Sequence, residues 1–114
     1  MQFSIVIPLY NEERRISKNI DKIFDFFKNL GSEMEIIFVN DGSFDATVKI
    51  LLEYQKKYLF QIINYPLNRG KGYAVKQGAL AARGDWIVFF DIDLATPLEA
   101  FDRLQTEKFG ADVI

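Results

Sequence analysis

Trp86-Ile87-Val88-Phe89-Phe90-Asp91-Ile92-Asp93-Leu94-Ala95-Thr96-Pro97 runs five large apolar residues into two carboxylates spaced one residue apart, with a proline close behind. A short, continuously apolar run bounded by polar residues reads as a strand buried on both faces. Successive side chains of an extended chain alternate sides, so Asp91 and Asp93 project the same way wherever strand geometry persists. Two carboxylates on one side repel each other unless a cation lies between them. Magnesium and manganese prefer such oxygen ligands and bridge one or two carboxylates to substrate phosphates. Aspartates also end strands for local reasons, because their side chains bond the turning backbone. The pair therefore gains meaning from what accompanies it.

Working outward, Phe3 to Ile7 is a β-branched run closed by Pro8, which predicts a first strand with a break just after it. Ile16, Ile20, Ile23, Phe24, Phe27 and Leu30 then fall at helical spacing, with Asn11 as the expected N-cap and Gly31 as the stop. Glu35 to Val39 predicts a second strand, ending in Asn40-Asp41-Gly42-Ser43. Asp45 or Ser43 is placed to cap the next helix, whose inner face would carry Val48, Leu51, Leu52 and Tyr58. Phe60 to Asn64 is a third strand, and Asn68-Arg69-Gly70-Lys71-Gly72 a loop. Ala74, Val75, Gly78, Ala79 and Ala82 give a small-residue helix that packs closely on a sheet and ends at Gly84. Pro97 opens another helix with Leu98, Phe101 and Leu104 inward, and Ala111 to Ile114 begins a further strand.

Strands alternating with helices predict an α/β fold, a Rossmann-like, mostly parallel sheet with right-handed crossovers and helices on both faces. Ligands bind such sheets outside the carboxyl ends of the strands, near the switch point in strand order. The polar clusters at 8–12, 40–45 and 91–96 all fall there. The expected organisation is a single domain over residues 1–114, with an ending in mid-strand implying an incomplete catalytic unit.

Composition narrows the chemistry. The net charge is −2, which argues against a nucleic-acid groove, since that needs a basic surface. There is no Cys, hence no disulfide framework or zinc-thiolate site, and no His to serve as the usual general base. The N-terminus lacks the form of a signal peptide, and no apolar run approaches the ~20 residues that span a bilayer. The expected location is cytoplasmic.

Among phosphate-binding signatures, the Walker loop is absent, since no Gly-Lys is followed by Ser or Thr. Gly70-Lys71-Gly72 resembles the opening of a dinucleotide fingerprint, but Val75 stands where the third Gly belongs. A strand ending in Asp-x-Asp also begins haloacid-dehalogenase-type phosphatases, where the motif sits on the first strand; this is the alternative enzyme reading. A nucleotide-binding fragment without turnover is the non-enzyme alternative.

Four motifs in order, Ile5-Val6-Ile7-Pro8-Leu9-Tyr10-Asn11-Glu12, Asn40-Asp41-Gly42-Ser43 with Asp45, Asn68-Arg69-Gly70-Lys71-Gly72, and Asp91-Ile92-Asp93, resemble family 2 glycosyltransferases of the GT-A fold. Asp-Leu-Ala-Thr-Pro after the metal motif is similar to the branch that loads sugars onto polyprenyl phosphates, including dolichyl-phosphate glucosyltransferases. Ala95 stands where mannose synthases of that branch carry Gln, which favours the glucosyl type. The resemblance implies that Pro8, Tyr10 and Glu12 line a nucleoside pocket, that Asp41 bonds the base, and that Val39 and Ile92 adjoin the nucleotide. It implies that Asp91 and Asp93 hold Mg²⁺ or Mn²⁺ against the diphosphate and carry catalysis, with Arg69 and Lys71 in reach of the phosphates. It further implies inverting transfer from a nucleoside-diphosphate sugar, UDP-glucose, to a polyprenyl or dolichyl phosphate. An acceptor of that kind already carries an oxyanion, so no deprotonating base is required, in keeping with a chain without His. The acceptor half and any membrane attachment would lie in regions outside this sequence, leaving the chain at the cytoplasmic face of a membrane.

Overall fold

Phe3–Leu9 forms strand β1, and its alternation decides what lies on each side of the sheet. The computed structural model describes residues 2–28 and 33–93. β2 (Met34–Asp41), β3 (Gln61–Tyr65) and β4 (Trp86–Phe89) join β1 in a parallel sheet ordered β3-β2-β1-β4. In register, Val6 lies beside Ile37 on one side and Phe89 on the other. Helices α1 (Glu13–Phe27), α2 (Thr47–Tyr54) and α3 (Lys71–Ala81) make the crossovers.

Phe3, Ile5, Ile7 and Leu9 face α1 and α2, where Ile16, Ile20, Ile23, Phe27 and Leu51 complete the larger core. Val6, Ile37 and Val39 face α3 through Ala74. The predicted two-faced α/β sheet is therefore present. The chain steps from β1 to β2 to β3 in one direction, then returns to the other side of β1 as β4. The switch point lies between β1 and β4, where open α/β sheets bind ligands.

Several local expectations shift. Pro8 stands inside β1, paired in register with Val39, instead of ending the strand. The Val6 carbonyl accepts from Phe90 N, so backbone groups of the same parity, Pro8 included, face the β4 side. β4 stops short of Pro8, and the missing N–H costs no ladder bond. Asn11 is not the cap of α1: it sits at φ 51°, and Glu12 occupies the cap position without a side-chain bond. Leu52 is 53% exposed, because Thr47 and Leu51 set the inward face of α2; Tyr58 does turn in, its ring stacked on Phe24 at 4.1 Å. Lys71 and Gly72 belong to α3 and not to the loop before it. Leu30, Gly31 and Ala95, the helix expected from Pro97 and the strand expected from Ala111 lie outside the described residues.

Close packing of α3 rests on Gly78. A Cβ built there would stand 2.3 Å from Val6 Cγ1 and 3.2 Å from Val39 Cγ2. Both neighbours are β-branched, stiff about χ1, and fully buried on central strands, so neither yields readily. Gly78→Ala gains up to about 1 kcal/mol of helix propensity and meets an overpacking cost of about 1–3 kcal/mol. We expect net destabilisation of about 1 kcal/mol by urea unfolding. A stabilised variant would mean that α3 can lift from the sheet without cost.

At the amino ends of the strands, Glu35 ties three segments together. Its Oε2 accepts from Ser4 Oγ at 2.6 Å and from Arg83 N at 2.7 Å. Burial pushes its carboxyl upward, but the Ser4 hydrogen bond, then the Arg83 amide and charge, outweigh this and hold it below its usual 4.5. The folded protein thus keeps the carboxylate ionised at pH values where the unfolded chain takes up a proton. The resulting stability is complete above 4.5 and is lost as pH falls through the lowered value. Glu35→Gln should therefore lower the urea midpoint at pH 7 and narrow its difference from the parent at pH 3. An equal loss at both pH values would assign the effect to shape alone.

Candidate functional site

The loops leaving β1 and β2 are locked to each other by the residues of their own motifs. Asn11 N donates to Ser43 Oγ at 2.8 Å, and Phe44 N donates to Asn11 Oδ1 at 3.0 Å. The left-handed turn at Asn11 is one that Asn tolerates better than most residues, and it aims the carboxamide at this partner. The first amides of α1 are satisfied across the chain: Glu12 N by Thr47 Oγ1 at 3.0 Å, and Glu13 N by Asp45 Oδ2 at 3.4 Å. Asp45 Oδ1 accepts from Thr47 N at 2.9 Å, so one carboxylate serves the starts of two helices. Glu13 Oε2 returns a bond from Ala46 N at 3.3 Å. These pairs hold Tyr10 at the lip of the sheet, half exposed, its ring edge-on to the exposed Phe44 at 6.2 Å.

Asp41, the last residue of β2, is 3% exposed. Its Oδ1 accepts from Tyr65 Oη at 2.7 Å and Arg69 N at 2.9 Å. Its Oδ2 accepts from Asn68 Nδ2 and Gly70 N, both at 2.9 Å. A carboxylate offers about four acceptor positions, and here the chain fills all four. The loop 68–70 is thereby wrapped around one side chain and delivered to the start of α3. Two glycines permit the path. Gly42 at φ 68° would place a Cβ 2.2 Å from Asn68 N, and Gly70 at φ 96° turns the chain into the helix. Burial, then the hydrogen bond to Asp41, raises the Tyr65 phenol well above its ordinary value, so it remains a donor at any working pH.

Between these loops and the end of β4 lies a cleft of about 280 Å³, lined by Pro8, Tyr10, Glu12, Asp41, Lys71 and Asp91 among others. It opens at the carboxyl ends of β1 and β4, the switch point of the sheet. Lys71 Nζ meets Asp91 Oδ1 across it at 2.7 Å. Of the residues expected to meet here, Pro8, Tyr10, Glu12, Asp41, Lys71 and Asp91 do so. Arg69 does not line the cleft, and its guanidinium lies over the Tyr73 ring at 5.2 Å. Val39 is fully buried under α3. Ile92 turns into the larger core, where its carbonyl accepts from Asn19 Nδ2 at 2.6 Å. Strand geometry stops at Phe89, and Ile92-Asp93 form a turn, so the same-side argument from an extended chain does not describe the pair. Asp93 is exposed on that turn.

The donor chemistry suits a hard divalent cation. Asp91 presents a carboxylate oxygen to the cleft in a position that already attracts a cationic side chain, and Asp93 follows two residues on. Among the described residues no group of three or more His, Cys, Asp or Glu side chains could form a closed metal cage. Mg²⁺ in general takes one or two protein carboxylates and completes its shell from substrate phosphates and water.

Sequence reasoning missed the role of Asn68 as a bond donor to Asp41, and of Ser43, Asp45 and Thr47 as clamps on α1. Asn68, Ser43 and Asp45 stand inside the quoted motifs, the last two with a reading only as caps of α2, and Thr47 carries no signal of its own.

A family model described as glycosyl transferase family 2 matches residues 4–108. Dolichyl-phosphate beta-glucosyltransferase ALG5A of Trichomonas vaginalis is 39% identical over 111 residues, covering 91% of this chain and 34% of that protein. The crystal structure of S. aureus TarS 1-349 in complex with UDP-GlcNAc superposes with a TM-score of 0.64 at 29% identity, over 93% of this chain and 32% of that one. The mannosyltransferase PcManGT from Pyrobaculum calidifontis, in complex with GDP-Man and Mn²⁺, superposes with a TM-score of 0.75 at 21% identity, over 84% of this chain and 33% of that one, a likeness of fold. The chain spans about a third of the length of the relatives it matches. The phosphatase alternative loses its footing, because the Asp-x-Asp follows β4 and not the first strand.

Proposed function

The chain belongs to glycosyl transferase family 2, and from that premise we propose that it forms the donor-binding part of a metal-dependent inverting glycosyltransferase. The donor is a nucleoside-diphosphate sugar, UDP-glucose, and the acceptor a polyprenyl or dolichyl phosphate. The single domain over residues 1–114 supplies the nucleotide side, and the acceptor side lies in the remainder of a longer enzyme. The carrying observation is the convergence of Tyr10, Lys71 and Asp91 on one cleft at the switch point of the sheet. Similarity to dolichyl-phosphate beta-glucosyltransferases supports the choice of sugar and acceptor.

In this reading Tyr10 offers its half-exposed ring to the base, while Pro8 and Glu12 shape the pocket floor and edge. Asp41 fixes the loop that carries Lys71 to the diphosphate. Asp91 and Asp93 hold Mg²⁺ or Mn²⁺, which when bound acts as a Lewis acid toward the departing diphosphate. The acceptor phosphate oxygen attacks the anomeric carbon from the face opposite the nucleotide. The bond from that carbon to the diphosphate oxygen breaks, its electron pair leaves with the nucleotide, and the configuration inverts. Lys71 keeps positive charge beside the oxygens on which negative charge grows. Among the described residues no helix is long and apolar enough to cross a membrane; a lipid-linked acceptor would bring the reaction to a membrane surface, in this reading its cytoplasmic face.

The test is calorimetric titration of UDP and UDP-glucose with and without Mn²⁺. Both should bind in a manner strengthened by the metal. Binding of neither, or hydrolysis of a simple phosphoester in their place, would remove the assignment.

A further inference from the structure

Lys71 lies in the first turn of α3 and Asp91 in the segment two residues past β4, yet they meet at 2.7 Å inside the cleft. Both are substantially exposed, at 66% and 43%, and an ion pair of that kind is weak and exchanges readily. The oxygen Lys71 holds belongs to a carboxylate that also suits a divalent cation. The phosphates of a nucleotide in the same cleft would offer the ammonium an alternative partner.

We propose that Lys71 is a positioning residue that couples nucleotide and metal binding, by exchanging its ammonium between the Asp91 carboxylate and the donor diphosphate. While Lys71 is on Asp91, it competes with the divalent cation for one oxygen. When a diphosphate enters, the ammonium moves to the phosphate oxygens and Asp91 becomes available to the metal. Each ligand thereby raises the affinity of the other by one common factor, as linkage requires. No covalent bond is made or broken. Asp41 supports the exchange indirectly: the bond from Gly70 N to Asp41 Oδ2 anchors the residue before Lys71, so the ammonium reaches both partners from a fixed base. This inference deepens the donor-site reading above and rests on it.

The experiment measures Mn²⁺ affinity by the electron paramagnetic resonance signal of free Mn²⁺, with and without saturating UDP. The ratio of the two dissociation constants is the coupling factor. In Lys71→Met, Mn²⁺ alone should bind about threefold more tightly, since its competitor is gone, and UDP alone should bind more weakly. The coupling factor should fall by the same amount, about threefold, because Asp91 no longer needs to be released. Lys71→Arg keeps a competing cation of similar reach and should retain most of the coupling. Lys76→Met removes the same charge from an exposed position of α3 and should leave the factor unchanged. A coupling factor in Lys71→Met equal to that of the parent, or weaker binding of Mn²⁺ alone, would overturn the exchange while leaving the donor site standing. If UDP does not alter Mn²⁺ affinity in the parent protein, the donor-site reading and the exchange fall together.

Discussion

Asp41→Ala is expected to lose about 3 kcal/mol of stability in urea unfolding, together with most of the affinity for UDP. The side chain is 3% exposed and is the acceptor for four donors: Tyr65 Oη, Asn68 Nδ2, Arg69 N and Gly70 N. Leaving one buried donor without a partner costs about 1–3 kcal/mol. Four such costs do not simply add here, because the 68–70 loop is largely exposed and can open to hydrate its own amides. The residual cost is Tyr65 losing its partner, plus the ordering of a loop left with the bond from Asn68 Nδ2 to the Asp41 carbonyl at 3.1 Å. Since Lys71 follows Gly70 directly, the cleft loses its cationic side when the loop opens. Asp41→Asn keeps the shape but sets an amide NH₂ against N–H donors, so it should fall between the parent and Asp41→Ala. If Asp41→Ala unfolds like the parent within error and loses only UDP binding, the carboxylate serves the base and not the loop.

Asp91→Asn is expected to behave in the opposite way, with the fold intact and the metal dependence gone. Asp91 is half exposed and its partner Lys71 is free to hydrate, so the urea midpoint should stay within about 0.5 kcal/mol of the parent. Affinity for UDP in the presence of Mn²⁺ should fall on the order of 100-fold, toward the value without metal, since an amide oxygen replaces a charged ligand. Without Mn²⁺ the affinity should not fall, because Lys71 is released toward the phosphates. Asp93→Asn should likewise remove the metal-assisted share and spare the fold. Unchanged Mn²⁺-dependent affinity in either variant would exclude that residue from the metal site. Read side by side, Asp41 and Asp91 separate two uses of a carboxylate in one cleft: one spends its charge on the chain, the other keeps it for a ligand.

The two-faced sheet was legible from the sequence because it depends on periodicity, which is local. The runs at 5–7, 36–39 and 86–90 are continuously apolar, as strands covered on both sides must be, and the intervening stripes have helical spacing. The position of the site was legible for the same reason, since polar clusters that follow parallel strands must gather at one end of the sheet. Tyr10, Glu12, Lys71 and Asp91 needed nothing more than that rule and the resemblance their motifs carry. What the sequence could not order was the choice among several available partners, because that depends on which loops lie side by side. Asn11 was free to cap a helix and instead receives the amide of Phe44; Asp45 was expected to start one helix and serves two. Arg69 is spent on Tyr73 and Ile92 on the core, although both stand inside the motifs that mark the cleft. Side-chain hydrogen bonds and ion pairs act over a few ångströms between residues up to 80 positions apart, so only the closed sheet decides them.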